Sequence, residues 1–61
     1  MPVVQIAMYK GRTPDQKAEI AEAVTKAISK SAGITDDATT IIFQDVEKHD
    51  WAVGGVHASK Q

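Results

Sequence analysis

The 61-residue sequence contains no cysteine, which removes two ways of stabilising a very small domain. A chain of this length buries a smaller share of its surface than a larger one, and its core rarely supplies more than about 3–5 kcal/mol. Disulfides and cysteine-based zinc sites are both excluded. Self-association or unusually good packing must supply the remaining stability, and oligomerisation is the leading structural prediction.

The sequence also lacks an excess of basic residues and a long apolar run, and both features narrow the possible classes of function. Arg12 is the only arginine and the net charge is −1, so the chain lacks the clustered basic surface of a nucleic-acid-binding module. No apolar run approaches the roughly 18 residues of a membrane span, and the first residues lack the charged and apolar segments of a secretory signal. We therefore expect a cytoplasmic protein with neither a nucleic-acid nor a membrane partner.

Residues Pro2 to Tyr9 predict a first β-strand that is apolar on both sides. Side chains alternate between the two faces of a strand. One face carries Val4, Ile6 and Met8. The opposite face carries Val3, Gln5, Ala7 and Tyr9.

A helix is predicted from Pro14 to Ala32. Thr13 supplies an N-cap hydroxyl, Pro14 occupies the first helical position and Gln16 completes a capping box. Gly33 is expected to end the helix. Glu22 is placed to pair with Lys26 one turn later on the exposed face. The predicted apolar stripe is narrow and rich in alanine, and comprises Ile20, Ala23, Val24, Ala27, Ile28 and Ala32.

A β-branched run from Ala38 to Val46 predicts the second strand, after a short loop at Thr35 to Asp37. A strand, a helix and another strand form a βαβ unit, whose two strands should be parallel. In the tail, Gly54 and Gly55 lie between apolar residues and predict a hairpin or arm.

The predicted fold class is therefore α/β (α+β), a βαβ protomer with a C-terminal hairpin that forms one domain over residues 1–61. One helix covers only one face of a two-stranded parallel sheet, whereas such sheets normally have both faces buried. We expect another copy of the chain to cover the second face, so that oligomerisation completes the parallel unit.

Most catalytic templates are missing from the sequence. It has no cysteine nucleophile, no glycine-rich phosphate loop and no pair of histidines at helical spacing. His49, Asp50 and His57 could form a metal site, but solvent-exposed tail residues are the favoured interpretation.

The N-terminus offers a different kind of base. Removal of Met1 would leave Pro2 with a free secondary amine, and an apolar pocket or a nearby cation would lower its pKa toward neutrality. Such an amine could act as a general base without histidine or carboxylate. On the residue alone, the simpler interpretation is a strand start that lacks one hydrogen-bond donor.

Several short motifs occur together at specific spacings over nearly the whole chain. Met1-Pro2 runs directly into the first strand, and the other motifs are Gly11-Arg12-Thr13, Asp15-Gln16-Lys17, Ala27-Ile28-Ser29 and Trp51-Ala52-Val53-Gly54-Gly55. In this combination the sequence resembles the 4-oxalocrotonate tautomerase family.

The resemblance implies a homo-hexamer, a trimer of dimers, whose pockets are completed by adjacent chains. It also implies a cofactor-independent isomerase in which Pro2 shuttles a proton between the keto and enol forms of a small unsaturated 2-oxo acid. Arg12 matches the family arginine that binds a substrate carboxylate, a role suited to a planar cation. Trp51 takes the place of an aromatic residue, usually phenylalanine, that walls the pocket.

Thr40 departs from the family pattern, because well-studied members carry there a second arginine that polarises the substrate carbonyl. Loss of one such donor typically costs about 100- to 1,000-fold in turnover. Lys10 or Lys48 could partly replace it if either reaches the pocket. The alternative function is an assembly subunit or small-acid binding protein with little activity, in which a retained Met1 would leave Pro2 as a non-basic amide.

Overall fold

The computed structural model describes residues 2–60. Met1 and Gln61 lie outside the described residues, and so does the predicted removal of Met1. The regular elements are β1 (Val3–Tyr9), α1 (Pro14–Ala32), β2 (Thr40–Val46), β3 (Ala52–Val53) and β4 (Val56–His57). Short 3-10 segments cover Asp36–Ala38, Lys48–Asp50 and Ala58–Lys60.

The predicted βαβ unit and tail hairpin are both confirmed. Strands β1 and β2 pair in parallel, with Val3 opposite Thr40 and Tyr9 opposite Val46. Strands β3 and β4 pair antiparallel around the Gly54-Gly55 turn. Helix α1 connects the two parallel strands, so the chain passes twice along the sheet in the same direction.

Helix α1 begins and ends where the sequence predicts. The Thr13 hydroxyl accepts a hydrogen bond from the Gln16 amide at 3.1 Å, and the Gln16 side chain accepts one from the Thr13 amide at 3.0 Å. At the other end, Gly33 has φ 71° and donates its N–H to the Ser29 carbonyl at 3.0 Å. Because a Cβ disfavours this left-handed conformation, glycine is the residue suited to end the helix here.

Two predicted strand boundaries are wrong by one or two residues. Strand β1 begins at Val3 rather than Pro2, and β2 begins at Thr40 rather than Ala38. The amides of Ala38 and Thr39 donate to carbonyls of the preceding turn, at 3.1 and 3.3 Å, instead of joining β1. Local turn bonding therefore displaces the start of the strand.

The predicted helix surface also needs correction. Ala23, Ala27 and Ala32 are exposed, while Ala21 is half-buried with Ile20, Val24 and Ile28. At about 3.6 residues per turn, Ala21 lies on the same side as these residues, whereas Ala23 lies well away from them. The side chain of Lys26 forms its ion pair with Asp36 rather than with Glu22.

Helix α1 covers one face of the sheet and leaves the other open. The face toward α1 is half-buried and carries Val4, Ile6, Met8, Ile41 and Phe43. On the opposite face Val3 is 58% exposed and Ile42 is 45% exposed. Within residues 2–60, Ala58 is the only buried residue, so the protomer does not complete its own core.

The shape of the protomer leads to the same conclusion. Its extents are 42 × 25 × 14 Å and its radius of gyration is 14.3 Å, where a compact chain of this length has about 10.5 Å. Its accessible surface is 4632 Å², against about 3,900 Å² for a folded monomer of the same mass. No helix within residues 2–60 is long and apolar enough to cross a membrane.

A polar cluster fixes the segment that leads into β2. Asp36 forms an ion pair with Lys26 and accepts a hydrogen bond from the Ser29 hydroxyl at 2.6 Å. The hydrogen bonds from Lys26 and then Ser29 hold the pKa of Asp36 below its usual value, and the bond to Asp36 raises the pKa of Lys26. The cluster joins the last turns of α1 to the 3-10 turn before Thr40.

We predict that Asp36→Asn destabilises the protein and removes part of its acid sensitivity. The lowered pKa means that the Asp36 contribution is complete above its ordinary pKa and is lost as pH falls through the native pKa. Urea unfolding at fixed protein concentration should show the free energy of unfolding falling more steeply from about pH 5 to pH 2 in the wild type than in the variant.

Glu19→Gln is the matched control, because Glu19 is an exposed carboxylate on the same helix that makes no ion pair within the described residues. It should retain the wild-type pH slope. Equal slopes for the wild type and Asp36→Asn would contradict the assignment of acid sensitivity to this cluster.

Candidate functional site

The four predicted site residues separate into two groups at opposite ends of the sheet. The Pro2 carbonyl accepts a hydrogen bond from the Thr40 amide at 3.0 Å, so these two residues are neighbours. Arg12 follows the far end of β1, and Trp51 follows the far end of β2. At about 3.3 Å per residue, β1 alone separates the groups by roughly 20 Å. A six-carbon acid is too short to touch both Pro2 and Arg12 of one protomer.

The end that carries Pro2 is apolar and lightly covered. Pro2 is half-buried, and Thr40 is exposed on the sheet face that α1 does not cover, directly opposite Val3. The Thr40 hydroxyl offers one neutral hydrogen bond at this place. The structure thus brings Pro2 and Thr40 together.

The end that carries Arg12 forms an open cleft. The cleft has a volume of about 370 Å³ and is lined by Tyr9, Lys10, Gly11, Arg12 and Gln16. Gly11 has φ 125°, which lets the chain turn sharply between β1 and the Thr13 cap. Within residues 2–60 the Arg12 guanidinium makes no hydrogen bond or ion pair. Its planar set of donors is therefore available to an anion.

An aromatic pair borders this cleft. The rings of Tyr9 and Trp51 meet edge to face, with centroids 4.8 Å apart and an interplanar angle of 65°. The Trp51 carbonyl accepts a hydrogen bond from the amide of the buried Ala58 at 2.7 Å, which anchors the tail beside the pair. Trp51 thus lies at the same end of the protomer as Arg12, next to a residue that lines the cleft.

Tyr9 was not among the predicted site residues. The sequence marked it only as the last residue of a strand, and its alternation assigned it correctly to the open face. An aromatic residue immediately before the Lys10-Gly11-Arg12 turn was the available signal. Its significance depends on the contact with Trp51, 42 positions later, which no local pattern reveals.

Both lysines proposed as replacements for the second arginine lie near Arg12 rather than near Thr40. Lys10 forms an ion pair with Glu47 at 3.1 Å. The ammonium of Lys48 lies 5.9 Å from the centroid of the Tyr9 ring. Any compensation for Thr40 would therefore come from the opposite end of a protomer.

The histidines do not form a metal centre in the described part of the chain. No three His, Asp or Glu side chains come close enough together within residues 2–60 to bind a metal ion. His49 lies 3.6 Å from Asp50, and both side chains are exposed.

The comparisons with known proteins decide the family. Residues 2–61 match the family model of the tautomerase enzymes. The chain belongs to the tautomerase family. It is 35% identical over 60 residues to the 2-hydroxymuconate tautomerase of Comamonas testosteroni, covering 98% of this chain and 95% of that protein.

Two solved structures support the same family and the fold. A structure of the 4-oxalocrotonate tautomerase isozymes from Methylibium petroleiphilum superposes with a TM-score of 0.89 at 36% identity, covering 95% of this chain and 94% of that one. A heterohexamer 4-oxalocrotonate tautomerase from Chloroflexus aurantiacus superposes with a TM-score of 0.92 at 32% identity, covering 98% of this chain and 97% of that one. The resemblance to the 4-oxalocrotonate tautomerase family and the predicted fold class are thereby confirmed. Family membership also supports a tautomerase function, which is a type of isomerase activity.

Proposed function

We propose that this tautomerase interconverts the keto and enol forms of small unsaturated 2-oxo acids without a cofactor. The observation that carries the proposal is the unpartnered Arg12 guanidinium in an open cleft beside the Tyr9–Trp51 pair, in a chain of the tautomerase family. Arg12 binds the substrate carboxylate, and the Pro2 amine is the general base and acid.

Each residue has a distinct part in the proposed reaction. After loss of Met1, the Pro2 amine removes the enol proton and returns it to a carbon of the conjugated chain, so that atoms and charge balance. Arg12 orients the acid through its carboxylate. Trp51 excludes water, which lowers the pKa of the amine toward neutrality. The Thr40 hydroxyl donates one uncharged hydrogen bond to the developing enolate.

The proposed pocket takes its residues from more than one protomer. Since β1 separates Pro2 from Arg12 by roughly 20 Å, one chain supplies Pro2 and a second supplies Arg12 with Trp51. The exposed sheet face opposite α1 is where copies associate, in a homo-hexamer arranged as a trimer of dimers, with residues 1–61 as a single tautomerase domain. A related protein of the same fold is a heterohexamer, which supports an assembly of six chains.

A second candidate function is a small-acid binding or assembly subunit with little activity. It is favoured by the neutral side chain at Thr40, because Arg12 can hold an acid without any group to stabilise the enolate. A residue retained in front of Pro2 would also leave little activity, because the proline nitrogen would then be a non-basic amide. Intact mass, followed by a turnover screen with phenylenolpyruvate and 2-hydroxymuconate, distinguishes the two functions.

We predict that Ile42→Lys breaks the assembly, because burying an unpaired ammonium in an apolar interface is costly. Sedimentation should detect smaller species than in the wild type. Ser31→Lys adds the same charge on the exposed surface of α1 and should leave the assembly intact. A wild-type protein that sediments as a stable monomer of 6.6 kDa would contradict the proposed assembly.

We predict that two variants with low turnover at subsaturating substrate regain activity when mixed. One variant is Arg12→Ala, which should raise KM more than it lowers kcat. The other variant carries an added glycine in front of Pro2, so that the proline nitrogen becomes an amide. After joint unfolding and reassembly in equal amounts, about a quarter of the pockets should combine an intact Pro2 with an intact Arg12.

The mixture is compared with each variant reassembled alone. If Pro2 and Arg12 acted within one chain, every pocket of the mixture would lack one of the two groups. Absence of recovered turnover in a correctly assembled mixture would therefore rule out the composite pocket.

We predict that Thr40→Arg raises kcat on 2-hydroxymuconate by up to about 100-fold, since a guanidinium would stabilise the enolate charge. Thr40→Gln is the control, because it adds bulk and a neutral donor but no charge. Thermal unfolding should accompany the kinetics, since a buried unpaired cation destabilises the assembly. An efficient wild type that Thr40→Arg leaves unchanged would show that no second arginine is needed.

A further inference from the structure

The end of the protomer that carries Arg12 includes cations that have no carboxylate partner. It includes Lys10, Arg12 and Lys48. Glu47 pairs with Lys10 at 3.1 Å. Neither Arg12 nor Lys48 has a carboxylate within ion-pair distance among residues 2–60. Two cations are therefore left available to anions at one place.

Lys48 lies over the ring of Tyr9, one of the residues that line the cleft. It begins the 3-10 segment Lys48–Asp50 that follows β2, and its ammonium lies 5.9 Å from the centroid of the Tyr9 ring. The ring is fixed by its edge-to-face contact with Trp51 and also lines the Arg12 cleft. A cation above a ring face is attracted by the ring, yet its N–H donors remain free for other partners.

Glu47 is the nearest residue in sequence that could neutralise Lys48, and Lys10 engages it instead. The pair between Lys10 and Glu47 connects the end of β1 to the end of β2 and leaves the Lys48 charge uncompensated. The Tyr9 ring thus lies under the unpaired Lys48 and lines the same cleft as the unpaired Arg12. This combination suits a small acid with an apolar middle and a negative group at each end.

We propose that Lys48 is a second anion-binding residue of the Arg12 cleft. An acid with two negative groups binds with one group on Arg12 and the other on Lys48, and its carbon chain lies along the Tyr9 ring. Acids with one negative group use Arg12 alone. Selection of the substrate by Lys48 rests on the proposed function, whereas binding of the diacid does not.

A titration with unreactive acids tests the binding. The probes are adipate and hexanoate, which have the same number of carbons but two and one carboxylates. Trp51 is the only tryptophan and contacts Tyr9, which lines the cleft, so its fluorescence reports the titration. Lys48→Met should weaken the affinity for adipate about tenfold, because one charge-assisted hydrogen bond is lost. It should change the affinity for hexanoate little.

Three further variants separate the site from a general charge effect. Lys48→Arg should keep the preference for adipate, because it retains the cation. Glu47→Gln should strengthen adipate binding, because it removes the negative charge adjacent to Lys48 in the sequence. Lys30→Met removes an exposed lysine at the far end of α1 and should leave both affinities unchanged. Higher salt should weaken adipate more in the wild type than in Lys48→Met.

Several outcomes would overturn the proposal. The first two are an adipate affinity that Lys48→Met leaves unchanged, and equal losses of affinity for adipate and hexanoate in that variant. The others are a loss of adipate affinity in Lys30→Met as large as in Lys48→Met, and no adipate binding by the assembled wild type. The turnover of 2-hydroxymuconate and phenylenolpyruvate is then measured on the same variants. A protein that binds adipate through Lys48 but turns over neither acid would refute the proposed function and keep this inference. An active enzyme whose adipate affinity and turnover are both unchanged by Lys48→Met would keep the proposed function and refute this inference.

Discussion

One geometric constraint governs this protein: a single helix covers only one face of a two-stranded sheet. Helix α1 lies over Val4, Ile6 and Met8 and their neighbours on β2, and the opposite face keeps Val3 and Ile42 exposed. A larger domain would add a second helix or further strands. Within residues 2–60 this chain adds only the short β3–β4 hairpin, which forms a separate sheet, and this explains why the chain is thinner and less buried than a compact domain of its length. We therefore expect contacts between chains to supply the remaining stabilisation.

The same constraint shapes the candidate site. Parallel strands begin at one edge of a sheet and end at the other, so β1 and β2 put Pro2 and Thr40 at one end and Arg12 and Trp51 at the other. A hairpin would have brought a strand start and a strand end together, whereas the βαβ crossover keeps them apart. In the proposed function, association of chains therefore also brings the Pro2 base of one chain to the Arg12 carboxylate site of another.

Local sequence patterns predicted the elements well because their causes are local. The capping box at Thr13 and the left-handed Gly33 each depend on residues within one helical turn, and both ends of α1 were predicted to the residue. Long-range partners were missed for the opposite reason. Asp36 captures Lys26 across a turn, and Tyr9 meets Trp51 from a distant segment. The site residues Pro2, Arg12, Thr40 and Trp51 came from family resemblance, and their roles remain predictions.

A composite pocket changes how the loss at Thr40 should be judged. Within one protomer neither Lys10 nor Lys48 replaces the family's second guanidinium by position, since both lie at the end opposite Pro2. In the proposed assembly, however, the Pro2 end of one chain meets the Arg12 end of another, and the free charge of Lys48 arrives with Arg12. A lysine carries a compact charge without the planar donor set of arginine, so it attracts an anionic group without fixing its orientation. Such a pocket would depend more on the charge of the acid and less on precise alignment of its carbonyl.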